Sequence, residues 1–225
     1  MILSIHIPKT AGTSFKESLQ DVLGDRLFLD YDSDKALSWL WKHKLRRWRT
    51  RFSARCNRAK LVRDFDVIHG HYMAEKYDFL PNRKYAAFFR NPVYQAVSHY
   101  EFVARNKNPD IASYRKICVQ SVSLRDYLQL PNQSCAYRIY LSGRDPRTFD
   151  FVGMTEHYEE SLALFHKIFG FQLTMRESNK NEDSKYEKLI EEAGGHRVLE
   201  EMLAENMHYH GLASQRFDEL RRKFL

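Results

Sequence analysis

The opening stretch Met1-Ile2-Leu3-Ser4-Ile5-His6-Ile7-Pro8-Lys9-Thr10-Ala11-Gly12-Thr13-Ser14-Phe15 contains the change of period that decides the fold class. Met1–Ile7 is a short apolar run and reads as a buried strand. After a polar turn, Phe15, Leu19, Val22 and Leu23 recur at helical spacing. Ser14-Phe15-Lys16-Glu17 has the form of a capping box, which predicts that the helix begins at Ser14. Outward from this unit the alternation continues. Arg26–Tyr31, Asp66–His69, Tyr85–Phe89 and Phe149–Gly153 read as further strands. Val93, Val97, Tyr100 and Ala104 mark one helix, and Leu124–Leu128 and the stretch from Ala136 to Leu141 mark two more. Tyr158, Leu162, Phe165 and Phe169 form a helical stripe behind Thr155 as N-cap. Phe171–Met175 reads as a short strand, Arg176–Ser184 as a loop, and the text from Lys185 onward as helix broken near Gly194-Gly195. Strands alternating with helices describe an α/β protein, a parallel sheet flanked by helices.

The 225 residues suit one domain, 1–225, with a basic helical insertion at about 36–63 and a helical C-terminal part at about 184–225. A hydrophobic fraction of 43% is enough for a sizeable core, and nine Gly with six Pro exclude a collagen-like or low-complexity chain. No apolar run approaches the roughly 20 residues of a bilayer-spanning helix, and Met1–Ile7 has no basic n-region or cleavage site. A cytoplasmic, unexported protein is expected. Cys56, Cys118 and Cys135 are odd in number and form no CxxC, so they indicate neither a disulfide framework nor a cysteine zinc site. They read as buried small hydrophobes in a reducing compartment.

The net charge of +7 belongs to one segment. From Lys42 to Arg63 there are ten Lys or Arg and no acid, which leaves 26 basic against 29 acidic residues elsewhere. Leu37, Leu40, Trp41, Leu45, Trp48 and Phe52 lie at helical spacing among these cations, and all three tryptophans fall within Trp39–Trp48. Such a basic amphipathic helix can hold an acidic glycan, a membrane surface or nucleic acid. The simplest reading packs the tryptophan stripe into the core and leaves the basic face in water. A peripheral membrane contact through 42–63 is carried as a partner, and nucleic acid is not expected.

The loop Pro8-Lys9-Thr10-Ala11-Gly12-Thr13 between the first strand and its helix is an anion cradle by composition. It aims backbone N–H groups and a helix N-terminus into a small space, with Lys9 as point charge and Thr10, Thr13 and Ser14 as hydroxyl donors. Ser14 cannot serve fully as both cap and ligand donor. The loop is not a Walker A sequence, because its lysine precedes the glycine. Arg90, at the carboxyl end of a strand before Asn91-Pro92, is where open α/β sheets bind ligands, and Ser98 on the following helix can donate to the same anion. Taken alone, Arg90 suits a surface ion pair as well. His69-Gly70-His71-Tyr72 closes a third strand, and the two imidazoles point the same way. Histidine suits a general base near neutral pH. A metal needs at least one further ligand that the neighbouring sequence does not supply, so none is expected.

Pro8-Lys9-Thr10-Ala11-Gly12-Thr13-Ser14-Phe15, His69-Gly70-His71-Tyr72, Arg90-Asn91-Pro92 through Ser98-His99-Tyr100, and Phe151-Val152-Gly153-Met154-Thr155-Glu156 occur in this order. The set resembles the sulfotransferases that use 3′-phosphoadenosine 5′-phosphosulfate, nearest to the carbohydrate branch similar to heparan sulfate 2-O-sulfotransferase and its bacterial relatives. Asn132-Gln133 with Arg138 and Leu141-Ser142-Gly143 resembles the middle segment of that branch. The resemblance implies a three-layer, P-loop nucleotide-kinase-like α/β fold and sulfuryl transfer to an acceptor hydroxyl, with an acidic glycan as one acceptor. It implies that Lys9, Thr10, Ala11, Gly12, Thr13 and Ser14 hold the 5′-phosphosulfate and that Arg90 and Ser98 hold the 3′-phosphate. Lys9 would stabilise the departing oxygen and His71 would take the acceptor proton, with His69 as alternate base or acceptor contact and Arg138 as a further acceptor contact. The chain departs from the branch at Asn91, where Asp is usual, and at Gln95, where Arg is frequent. A kinase of the same fold and a non-catalytic basic binding module are the other readings.

Overall fold

A computed structural model of the chain describes residues 1–31, 41–106, 122–130, 132–175 and 183–225. Leu37, Trp39, Leu40, Cys118 and residues 176–182 of the expected loop lie outside these, as do the side chains of Trp41 and Leu45. Five strands, β1 (Ile2–Ile5), β2 (Leu27–Asp30), β3 (Val67–Gly70), β4 (Lys84–Phe89) and β5 (Phe151–Met154), form one sheet in the order β2-β3-β1-β4-β5. All four pairings are parallel. Every residue of β1, β3 and β5 is buried, which explains why these strands read as continuous apolar runs rather than alternating ones.

Flanking the sheet are α1 (Gly12–Leu23), α2 (Trp41–Cys56), α3 (Arg58–Asp64), α4 (Pro92–Asn106), α5 (Leu124–Leu128), α6 (Ala136–Leu141), α7 (Tyr158–Phe169), α8 (Asp183–Glu192), α9 (His196–Met202) and α10 (Ala204–Phe224). Phe15 and Leu19 of α1 join Ile5, Phe88, Phe151 and Phe165 in the main core. A second apolar cluster gathers Val93 and Val97 of α4, Tyr127 of α5, Ile190 of α8 and Leu199 of α9. This cluster fixes α4 against the C-terminal helices. From β1 the chain leaves toward β2 and β3 on one side, then crosses to β4 and β5 on the other. The carboxyl end of β1 therefore lies where the strand order reverses, which is where open α/β sheets leave a crevice.

Several sequence expectations fail for local reasons. Helix α1 begins at Gly12, not Ser14, because Ala11 takes the N-cap position with φ 62° and starts the helix two residues early. Thr155 does not cap α7. A short 3-10 turn spans Thr155–His157, and the Thr155 hydroxyl donates to the Phe89 carbonyl at 3.0 Å instead. Phe171–Met175 has no strand pairing, and the Thr174 carbonyl accepts a hydrogen bond from Ser18 at 2.7 Å. On α2, Trp48 and Phe52 are 64% and 56% exposed, so the core-packed reading of the stripe is wrong for both. The smaller Thr50 and Ala54 are the more enclosed residues there. Cys56 is likewise exposed rather than buried, and Cys135 is partly exposed.

Candidate functional site

The β1–α1 loop has an alternating backbone. Lys9 has φ 67° and Ala11 has φ 62°, while Thr10 between them is not left-handed. Two non-glycine residues in this region cost of order 1 kcal/mol or more each and persist only where the surroundings hold them. Three contacts do so here. The Thr10 hydroxyl donates to the Ile7 carbonyl at 2.9 Å, Gln95 of α4 donates to the Pro8 carbonyl at 2.9 Å, and the Phe15 amide donates to the Ala11 carbonyl at 3.1 Å. Alternation of this kind turns successive N–H groups toward one hollow, and the N-terminus of α1 adds its dipole. The hydroxyl of Thr10 is thus committed to the loop itself, and Thr13 is exposed. Gln95, the departure from the carbohydrate pattern, acts as the strut between α4 and the loop.

Gly12 is required by a neighbour rather than by a turn. A Cβ there would fall 1.9 Å from the His6 ring, so only glycine lets that imidazole lie over the start of α1. The Lys9 ammonium sits 4.9 Å from the centre of the Phe102 ring on α4. Burial lowers the Lys9 pKa, and the nearby charges of Arg90 and Arg105 lower it further. Lysine and arginine at the ends of two neighbouring strands therefore feel each other's charge across one space.

Arg90 ends β4, and its surroundings explain the motif that follows. Asn91 precedes Pro92 at the first helical position, and the Asn91 side-chain oxygen accepts from the Val93 amide at 3.0 Å, an N-cap of α4. Glu156, just after β5, accepts from the Asn91 amide at 2.6 Å. Tyr137 of α6 donates to the Arg90 carbonyl. Main chain and cap are thus fixed while the guanidinium, 5.9 Å from the Tyr186 ring centre, has no carboxylate partner among the described residues. Ser98, two turns along α4, is 2% exposed, and its hydroxyl has no hydrogen-bond partner among the described residues.

His69 and His71 come together, and a third imidazole joins them. Parallel pairing of β1 with β3 sets Ser4 beside His69, and the strand continues so that the His6 amide donates to the Gly70 carbonyl at 2.9 Å. The His6 ring stacks on His71 at 4.1 Å and on His69 at 5.2 Å. Tyr31, after β2, places its hydroxyl 3.0 Å from His6 Nδ1 and its ring edge-on to His71. A Cβ at Gly70 would lie 1.9 Å from the Asp30 carbonyl oxygen, so glycine permits the close approach of β2 that brings Tyr31 in. Stacked imidazoles present faces to each other rather than lone pairs to a common centre. Among the described residues no group of three or more His, Cys, Asp or Glu is arranged to hold a metal ion.

The two histidines differ sharply in environment. His69 is 1% exposed, with Nδ1 2.8 Å from the Ser4 hydroxyl. Burial, reinforced by the charge of His71, pushes its pKa down to about 3. His71 is only partly buried, and its Nδ1 lies 2.6 Å from the His6 carbonyl oxygen. A carbonyl can only accept, so Nδ1 carries the proton and the lone pair of the neutral ring resides on Nε2. His6 is held neutral by burial and by the charges of His71 and His69, which drive its pKa well below the ordinary value.

His99 of α4, with Nδ1 2.5 Å from the Tyr127 hydroxyl, completes this edge. Burial, followed by the charges of Lys9 and His71, lowers its pKa to about 4. His6, Tyr31 and His99 are residues to which the sequence reading gave no role, and Gln95 entered it only as a departure from the branch pattern. The signal for His6 was the β1–β3 register, a long-range pairing invisible along the chain. Arg138 is placed differently from the strand-end group: its guanidinium pairs with Glu205 of α10 at 2.6 Å, and that carboxylate raises its pKa.

No protein-family model matches the chain, and no curated protein matches it. Among solved structures the chain is similar to mouse sulfotransferase SULT7A1 complexed with PAP, at 15% identity and a TM-score of 0.48. That alignment covers 83% of this chain and 62% of the other, so the chain spans less than two thirds of its length.

Proposed function

We propose that the chain is a sulfotransferase that takes 3′-phosphoadenosine 5′-phosphosulfate as sulfuryl donor and a hydroxyl-bearing acceptor. The observation that carries this reading is the β1–α1 loop, whose left-handed Lys9 and Ala11 build an anion nest beside an ammonium of lowered pKa that faces Arg90. Two cationic centres at the ends of adjacent strands suit a nucleotide with anionic groups on both sides of its ribose. The buried Ser98 hydroxyl, unpartnered among the described residues, and the Arg90 guanidinium fit a 3′-phosphate, and the nest with Lys9 and Ser14 fits the 5′ end. When bound, the donor supplies an electrophilic sulfuryl group on a phosphate leaving group.

The chain's own residues then have distinct tasks. The loop amides and the α1 N-terminus bind negative charge without reorganising, since Gln95 and Thr10 already fix their direction. Lys9 holds positive charge at the leaving side, and its pKa, lowered first by burial and then by the charges of Arg90 and Arg105, marks a cation that a bound anion would relieve. His71 accepts the acceptor proton at Nε2, because the His6 carbonyl holds the other nitrogen protonated. His69 supports the stack: it is enclosed, and its pKa of about 3 makes it a weak base. The carbohydrate nature of the acceptor rests on the sequence resemblance alone, and Arg138, paired with Glu205, is the weaker of the proposed acceptor contacts. The kinase reading is disfavoured because histidines and not Mg²⁺-binding carboxylates close β3. Transfer of label from the sulfuryl donor to a panel of hydroxyl acceptors tests the proposal. Label transferred to any of them supports it, and phosphorylation of the same panel from ATP with Mg²⁺ in place of sulfuryl transfer would replace it with the kinase.

A further inference from the structure

The basic segment has an outward face that the proposed chemistry does not use. Thr50 and Ala54 of α2 are partly enclosed, and Ala54 packs against the main core. The large Trp48 and Phe52 project the other way, stacked on each other with ring centres 5.6 Å apart and planes 16° from parallel. A surface helix ordinarily turns its large apolar residues inward, so this polarity is reversed. At 100° per residue Arg49, Arg51 and Arg55 flank the ring pair on both sides, and Arg58 and Lys60 follow on α3. Among the described residues only Arg51 and Arg63 of this group pair with carboxylates, at 3.9 Å to Glu75 and 2.7 Å to Asp64. Val62 of α3 is a further 48% exposed and borders an open hollow with Arg58, Arg63 and Pro81.

We infer that the outer face of α2 and α3 docks on an anionic lipid bilayer, with Trp48 and Phe52 entering the headgroup boundary and the surrounding guanidinium groups meeting lipid phosphates. Charge complementarity excludes a second copy of the same face, since residues 42–63 contain no acid. A bilayer is favoured over a polyanion in water because the rings, already stacked on each other, form an apolar block that only an apolar medium buries. Arginine stems can lie along that block while their heads reach phosphate. The surface adjoins the strand-end site. Arg47 approaches the Met73 sulfur at 3.4 Å and Arg51 approaches Glu75, both on the segment that follows His71. The inference stands whether or not the chain transfers sulfuryl groups.

The test is co-sedimentation of the full chain with vesicles of phosphatidylcholine alone and of phosphatidylcholine containing about one third phosphatidylserine, with heparin fragments as competitor. At least about tenfold stronger partition onto the anionic vesicles is expected, weakened by added salt. The pair Trp48→Ala and Phe52→Ala should lower that partition at least about fivefold without moving the melting temperature. With Trp39→Phe and Trp41→Phe, so that Trp48 is the sole tryptophan, acyl-chain bromine should quench the emission. Absence of vesicle binding, Trp48 emission that acyl-chain bromine leaves unquenched, or capture by heparin in preference to the vesicles would overturn the inference.

Discussion

The carboxyl edge of the sheet and the α2–α3 pair both collect positive charge, yet they are built in opposite ways. At the sheet edge each basic group is held by something specific: Lys9 by its loop and the Phe102 ring, His71 by the His6 carbonyl, and Arg90 through the Tyr137 and Glu156 contacts to its turn. On α2 and α3 most cations lie in water, and two large rings lie with them. The first region spends stability on fixed geometry, including two left-handed residues and three imidazoles kept neutral. The second leaves apolar surface uncovered. Fixed charge in an enclosed edge suits positioning of a small anion, whereas mobile charge around an exposed apolar block suits a broad, soft partner.

The largest difference should appear in turnover. Lys9→Ala and His71→Ala should each lower kcat by about 10²–10⁴-fold while bisphosphate affinity changes far less, and steady-state kinetics beside calorimetric binding checks this. Loss of affinity equal to loss of turnover would reduce Lys9 to a phosphate holder. For either residue, a turnover loss below tenfold is too small for the assigned role.

Acid should dismantle the sheet edge next. His69 and His99 have folded pKa values of about 3 and about 4, below the unfolded value of about 6.5, so the unfolded chain binds more protons between these limits. Their contribution is therefore full above about pH 6.5 and is lost as pH falls. Each should cost about 2 kcal/mol of stability at pH 5, with His6 adding in the same direction. Urea denaturation from pH 7.5 to 4.5 should show that slope, and stability flat across this range would mean the imidazoles are not buried neutral.

A smaller effect separates steric from chemical roles. Gly12→Ala should destabilise by about 1–3 kcal/mol, because its new methyl meets the His6 ring. Adding His6→Ala should recover part of the loss if that contact is its cause, which a double-mutant cycle reads directly. Smallest of all, Trp48→Ala with Phe52→Ala should alter stability by less than about 0.5 kcal/mol, since neither ring is packed into the core. A large loss there would return the stripe to the core.

The strands were legible as short apolar runs, three of them enclosed on both faces and β2 and β4 buried in part. Helix starts were less legible. Ser14 has the residues of a capping box, but the left-handed Ala11 starts α1 ahead of it, and nothing in the local text reports a backbone dihedral. Of the proposed site, Lys9, His69, His71 and Arg90 were singled out because residue type and position at strand ends agree, and Ser98 because it lies on the helix that follows Arg90. His6 could not be, since inside a strand it reads as an interruption, and its contact with His71 depends on pairing over 65 residues. The tryptophan stripe misled for the complementary reason: helical spacing tells that residues share a face but not which way that face turns.

A sulfotransferase would hold a bisphosphorylated adenosine at this edge between the β1–α1 nest on one side and Arg90 on the other. Thermal shift with adenosine 3′,5′-bisphosphate, set beside ATP with Mg²⁺ and repeated in Arg90→Ala, tests it most directly. Stabilisation by the bisphosphate alone, weakened in Arg90→Ala by about 2–4 kcal/mol of binding, is the expected result. Stabilisation by ATP with Mg²⁺ alone, or by neither nucleotide, would contradict it.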